Sequence, residues 1–292
     1  MTSAPSWSCS ALWRAVRWLL LPAGLAACAA LSPPPIPQEA RLRGDTIALL
    51  GEIHDNADAQ RARLAMLRRA LANGWRPVIA MEQFDIERQA DIDRARREAP
   101  RDAQHVIDAA APPRGGWDWA LYRPVIALAL EYDLPLLAAN LPAADTTKIV
   151  RGGYASVFAP ARVAELGLDR PVAPDWQAAQ EREIDAGHCG LLPAAMWPAM
   201  ARAQFARDAV MAALLAQHAE HGIVLIAGNG HARRDLGVPR RLTVANQQRV
   251  LAIGFLEPDS PADLVSAFDA VVHVPAAPRG DPCEAMAKRP MN

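Results

Sequence analysis

Four side chains able to hold a metal or move a proton stand where apolar runs stop. Glu52 and His54 follow "IALLG", Glu82 follows "VIAM", and His231 follows "IVLIAGNG". The first and last share the spacing G-x-x-H, as Gly51-Glu52-Ile53-His54 and Gly228-Asn229-Gly230-His231. Glycine there lets the backbone turn sharply at a strand end, and a histidine three residues on can face back over the rim. Imidazole and carboxylate bind divalent metals and also serve as general acid and base. His54, Glu82 and His231 therefore point to a divalent-metal site or to the acid/base set of a peptidase- or esterase-like hydrolase. A lone histidine after a strand is ordinarily a loop residue bonded to nearby backbone. Two such motifs plus a strand-end glutamate favour a site. No HExxH motif supports the metal reading. "GNG" lacks the third glycine of a dinucleotide loop, which sets nucleotide binding aside.

A second group lies in "GHCGLLP", residues 187–193, where His188 and Cys189 sit in a glycine-flanked turn ahead of a long helix. On that helix Met200, Gln204, Arg207 and Met211 fall at i, i+4, i+7 and i+11, a single stripe with Asp208 on its edge. The mixture reads as a cleft wall or as an interior face with a polar insert. Arg207 would then meet a ligand, tie down a loop, or pair with a buried carboxylate. His188 and Cys189 could form a base–nucleophile pair, although sequence neighbours seldom point the same way.

Strands and helices must bring these residues together. "TIALLG", "RPVIAMEQF", "LPLLAAN", "GIVLIAGNGH", "QRVLAIGFL" and "FDAVVHVP" read as strands, the continuous apolar ones covered on both faces. Helical segments separate them, including "ADAQRARLAMLRRALANG" and the long run 193–220. The expected fold is α/β, a mostly parallel sheet flanked by helices, with a largely helical middle insertion. Ligands of such sheets bind outside the carboxyl ends of the strands, where Glu52, His54, Glu82 and His231 lie.

Residues 1–27 carry Arg14 and Arg17, no acidic side chain, and then "WLLLPAGLAA". This is the pattern of a secretory signal peptide, too short for a spanning helix. Leu25-Ala26-Ala27-Cys28 resembles a bacterial lipobox, whose cysteine is lipidated after cleavage. The expected organisation is a leader over 1–27, lipidated Cys28 and a Pro-rich tether over 28–44, an α/β domain over 45–277, and a flexible tail over 278–292. Acyl chains on Cys28 would supply the membrane affinity. Ala29, where an acidic residue would signal retention at the inner membrane, favours the outer membrane facing the periplasm. Loss of the two leader arginines takes the formal charge from −1 to −3, so nothing marks a nucleic-acid binder. Cys189 and Cys283 are left over in an oxidising compartment and could pair. No CxxCH is present for covalent haem attachment.

"LLGEIHDN", "IAMEQF", "WDWALYRPVI", "LPLLAAN", "GHCGLLP", "AQFARDAVMA" and "IAGNGHARRDLGVP" together resemble the ChaN-like haem-binding lipoproteins of the Tiki/TraB/erythromycin-esterase superfamily. The resemblance implies non-covalent haem binding in iron or haem acquisition, a binding role rather than an enzymatic one. It also implies a haem-linked homodimer or a haem receptor or transport partner. In the enzyme branches the positions of His54, Glu82 and His231 serve metal-dependent hydrolysis. Haem needs an axial ligand, an apolar slot and cations near its propionates. A tyrosinate, looked for in this family, has three candidates here, Tyr122, Tyr132 and Tyr154. Tyr154 has Arg151 nearby, and Tyr122 lies beside Arg123 in a segment with Trp117 and Trp119. Glu52, His54, Glu82, His188, Arg207 and His231 complete the implied haem-binding set.

Overall fold

The computed structural model describes residues 36–113 and 116–288. The expected leader, Cys28 and the tether up to residue 35 lie outside the described residues; the rest of the tether is not extended but forms a short 3-10 helix, Pro37–Arg41, followed by buried Leu42.

Six strands form a parallel sheet in the order β3-β2-β4-β1-β5-β6. They are β1 (Ile47–Glu52), β2 (Val78–Asp85), β3 (Leu136–Asn140), β4 (Ile223–Gly228), β5 (Val250–Leu256) and β6 (Ala270–His273). Helix α1 (Ala57–Ala72) links β1 to β2. Helices α2 (Gln89–Glu98), α3 (Ala103–Ala110) and α4 (Trp119–Glu131) lead to β3. The helical middle follows as α5 (Ala143–Gly152), α6 (Pro160–Glu165), α7 (Pro174–Gly187) and α8 (Trp197–His218). Short helices α9 (Asn229–Ala232), α10 (Val244–Arg249), α11 (Ala262–Ser266) and α12 (Pro282–Ala287) complete the path. The α/β architecture with a helical insertion is the one expected.

Every residue of β1, β2, β4 and β5 is buried, as strands covered on both faces require. Successive side chains alternate between two cores. Ala48 and Leu50 pack with α1, α3 and α4 through Leu67, Val106 and Ile126. Ile47 and Leu49 pack on the other face with Met211, Ala212 and Leu215 of α8. Burying a leucine of this kind is worth about 2 kcal/mol, so the sheet is the stable frame on which the rim groups stand.

The run after β1 has a local explanation. Asn56 caps α1 by accepting from the Ala59 amide at 2.9 Å, and its own amide donates to Glu257 at 2.7 Å. Part of the polar crowd after Gly51 therefore starts a helix.

Chain order brings distant strand ends together. β4 lies between β1 and β2, so the ends carrying Glu52, Glu82 and Gly228 are adjacent. Pairing of β2 with β4 ends at Met81–Ile226, and the β2–β3 register shifts between Met81 and Asp85. Glu82 thus stands on the carboxyl rim beside Gly228, as the rule for open parallel sheets requires.

The segment expected as a flexible tail is fastened at two points. Arg279 bridges Asp55 at 2.8 Å and Glu257 at 2.7 Å. Cys283 on α12 forms a disulfide with Cys189, their Cα atoms 5.5 Å apart.

Candidate functional site

Glu82 is the hub of the rim. It is 3% exposed and accepts from the Gly228 amide at 2.7 Å and from Arg207 Nη2 at 2.5 Å. His231 Nε2 lies 3.6 Å from the same carboxylate, while its Nδ1 donates to buried Asp208 at 2.5 Å. Burial alone would raise the Glu82 pKa. The charges of His231, Arg207 and His54 and the Gly228 amide outweigh it and hold the group down to about 2.

His54 arrives from the neighbouring strand end. A Cβ built on Gly228 would stand 3.0 Å from His54 Nε2 and 3.7 Å from Glu82 Oε2, so both side chains border one glycine. A side chain at this position would have to displace the imidazole by a few tenths of an ångström. His54 Nδ1 donates to Glu52 at 2.9 Å, and the ring meets Trp117 edge-on at 4.7 Å. Loss of water around the ring lowers the His54 pKa, with Arg207 adding to the effect and Glu82 and Asp55 opposing it. The structure thus brings His54, Glu82 and His231 to one rim.

Glu52 serves another purpose. It is buried and accepts from His54, from Gln83 at 3.0 Å, from Gln60 at 3.0 Å, from Tyr122 at 2.7 Å and from buried Arg63. Arg63, stripped of water, has its pKa lowered to about 10. Five donors on one carboxylate satisfy it fully, which makes it the tie holding His54 in place. Glu52 has no capacity left for a ligand.

Beside the rim lies a cleft of about 1220 Å³. Trp117, Leu141, Val150, Met196, Met200 and Leu236 give it apolar walls. Arg151, Arg207 and Arg233 bring cations, and His188 lines the wall formed by α7 and α8. Arg207 also donates to Asn140 and Gln204, both at 3.0 Å, and Arg233 is held by Glu183 at 2.8 Å and Asp235 at 2.7 Å. Arg151 makes no ion pair among the described residues.

Several expectations require correction. Among the described residues no group of three His, Cys, Asp or Glu is placed to hold a metal. The trio His54, Glu82 and His231 fails because the Glu82 oxygens are taken by Arg207 and Gly228 and His231 Nδ1 by Asp208. Tyr122 is wholly buried, and its hydroxyl is bound to Glu52. Burial, only partly opposed by Arg63, raises its pKa. Tyr154 packs in the apolar cluster around Ile149 and Leu166, which also holds Leu141 and Val150 of the cleft wall, and is not itself among the residues that line the cleft. Burial raises its pKa against the pull of Arg241 and Arg202. Cys189 is committed to its disulfide, which removes the His188–Cys189 nucleophile reading.

Arg63, Gln60 and the Asp208–His231 pairing were not foreseen. Arg63 was visible as a charge inside the buried face of α1, flanked by Ala59, Ala62, Met66 and Leu67. A charge in that position demands a buried partner. Asp208 had no comparable signal, because its partner lies 23 residues away on another element.

Residues 39–242 match the family described as haem-binding uptake, Tiki superfamily, ChaN. The chain belongs to this family. Among solved structures, ChaN of Campylobacter jejuni with cofacially bound haem is 19% identical, with a TM-score of 0.61 over 79% of this chain and 87% of that one. At that identity the likeness shows the fold. An erythromycin esterase variant in its open conformation is 12% identical, with a TM-score of 0.46 over 75% of this chain and 71% of the other. No curated protein matches the sequence.

Proposed function

We propose that the protein binds haem non-covalently in the cleft between α5, α7, α8 and the sheet rim, as a lipid-anchored envelope protein in haem or iron acquisition. The cleft carries the reading. Haem asks for an apolar slot, a ligand atom and cations for two propionates, and this space combines Trp117, Met196 and Met200 with Arg151 and His188. At about 1220 Å³ it exceeds the roughly 300–1,000 Å³ usual for small-molecule sites, as a large planar ligand requires. Family membership and the cofacial haem of the Campylobacter jejuni relative support it. The lipobox at Cys28 supports an anchor in the outer membrane facing the periplasm, with a haem receptor or a second copy of the chain as partner. Titration of hemin into the purified chain tests the reading. A saturable Soret shift is expected, and its absence at micromolar hemin rejects haem binding. Radiolabelled palmitate incorporation, lost in Cys28→Ser, tests the anchor.

One observation favours a second reading, an acid/base hydrolase. Asp208 orients His231, whose Nε2 faces Glu82 at 3.6 Å, an arrangement suited to proton transfer. Ester and peptide substrates turned over by the wild type and not by His231→Gln would support it. A silent panel would remove it.

A further inference from the structure

Three arginines gather on the side of α8 turned away from the cleft. Met200, Gln204 and Arg207 of that helix line the cleft, and Arg202 and Phe205 fall on the other side of its turns. Arg240 and Arg241 end the 3-10 turn Val238–Arg241, and Trp176 comes from the first turn of α7. None of Arg202, Phe205, Arg240, Arg241 and Trp176 lines the cleft. We propose that Arg202 and Arg241 form a binding site for a phosphate group, free or carried as a monoester, separate from the cleft and independent of what the cleft holds.

Aromatic rings hold the guanidinium groups. Arg241 lies 4.5 Å from the Trp176 ring centre and 4.9 Å from that of Phe205, and Arg240 lies 4.7 Å from Trp176. Trp176 is itself pinned, its indole N–H donating to the Leu236 carbonyl at 3.0 Å. A guanidinium held over a ring keeps its N–H edge for a ligand, and that planar fork matches the oxygens of a phosphate.

The donors on these edges are unmet. Nε and Nη2 of Arg241 and Nε of Arg202 are buried and have no hydrogen-bond partner among the described residues. Arg202, Arg240 and Arg241 make no ion pair among them either. Arg202 reaches the turn after α5, where a Cβ built on Gly153 would stand 3.6 Å from its Nη1. The charges of Arg202 and Arg241 both act on the hydroxyl of the next residue, Tyr154, which brings the two side chains to one place. The acid that acts on Arg241 is Asp208, and Asp208 is already bound to His231 Nδ1 at 2.5 Å. Positive charge with unmet buried donors calls for a multiply charged acceptor. A phosphate dianion can meet both forks at once, whereas a single carboxylate has too few oxygens and too little charge.

The test is calorimetric titration of the full chain, free of hemin and at low ionic strength, with inorganic phosphate and with glycerol 3-phosphate, acetate serving as the control anion. Saturable binding of phosphate is expected, with a rise in melting temperature that acetate does not give. A preference for the ester identifies a phosphorylated small molecule or headgroup as the ligand, and equal affinity identifies free phosphate. Arg241→Lys and Arg202→Gln should each weaken binding at least about tenfold, the scale of losing charge-assisted hydrogen bonds. Arg202 is partly exposed, so its variant keeps the test decisive if Arg241→Lys fails to fold. Arg97→Gln, which removes an exposed arginine of α2, should leave binding unchanged. Hemin added to the phosphate-loaded chain should not displace the anion. No saturable binding of either compound at millimolar concentration, equal weakening by Arg97→Gln, or displacement by hemin overturns the site. The first two outcomes leave haem binding untouched, so the two readings fail separately.

Discussion

Arg207 crosses from α8 to place Nη2 2.5 Å from the Glu82 carboxylate, joining the helical layer to the end of β2. Glu82 is almost completely buried, so this contact neutralises a charge that water cannot reach. Arg207→Met should therefore cost about 3 kcal/mol, the usual scale for stranding one member of a buried pair. Urea unfolding at neutral pH measures it, and a change below about 1 kcal/mol would show that His231 and the Gly228 amide suffice.

Acid should expose the same carboxylate. Its folded pKa of about 2 lies below the ordinary 4.5, so the unfolded chain takes up a proton first. The stabilisation is complete above about pH 5 and is lost as pH falls toward 2, in total about 3 kcal/mol. Stability measured across that window should fall less steeply in Glu82→Gln than in the wild type.

His54 acts in a higher window. Its folded pKa lies below 6.5, so protonation again favours the unfolded chain, and stability declines as pH drops through 6.5 and below. His54→Gln should flatten the melting temperature against pH in that range and leave it unchanged at pH 8.

Tyr122→Phe removes the 2.7 Å hydrogen bond to Glu52 and leaves four other donors on that carboxylate. A loss of about 1–2 kcal/mol is expected, with hemin spectra unaltered. A changed Soret band would mean that the tyrosine reaches the ligand after all.

The Cys189–Cys283 disulfide spans 94 residues of sequence. Closing a loop of that size constrains the unfolded chain by about 4 kcal/mol. Cys283→Ser, or reduction of the wild type, should lower the melting temperature by several degrees. Equal melts would show that Arg279 alone secures the segment.

Much of the frame was legible because β1, β2, β4 and β5 are buried on both faces and so read as continuous apolar runs. The rim was legible for the same reason, since Glu52, Glu82 and the glycines before His54 and His231 mark where apolar character stops. The roles of these residues were not. Nothing local distinguishes Glu52, consumed by Arg63 and Tyr122, from Glu82, poised between Arg207 and His231. That distinction depends on which helix covers each strand end. Arg207 paired with a buried carboxylate, one of the alternatives its helical stripe allowed. The tyrosines misled because Tyr122 beside two tryptophans looks the same in sequence whether its hydroxyl faces a slot or a buried carboxylate.

The insertion of β4 between β1 and β2 also bears on how the molecule comes into being. A chain that has emerged only as far as residue 140 holds three strands but lacks the one that must fill the gap between the first two. No amino-terminal fragment can therefore preassemble the rim, and the closing contacts span well over a hundred residues. Slow closure of the rim, only after the last third has arrived, is the natural outcome of that strand order.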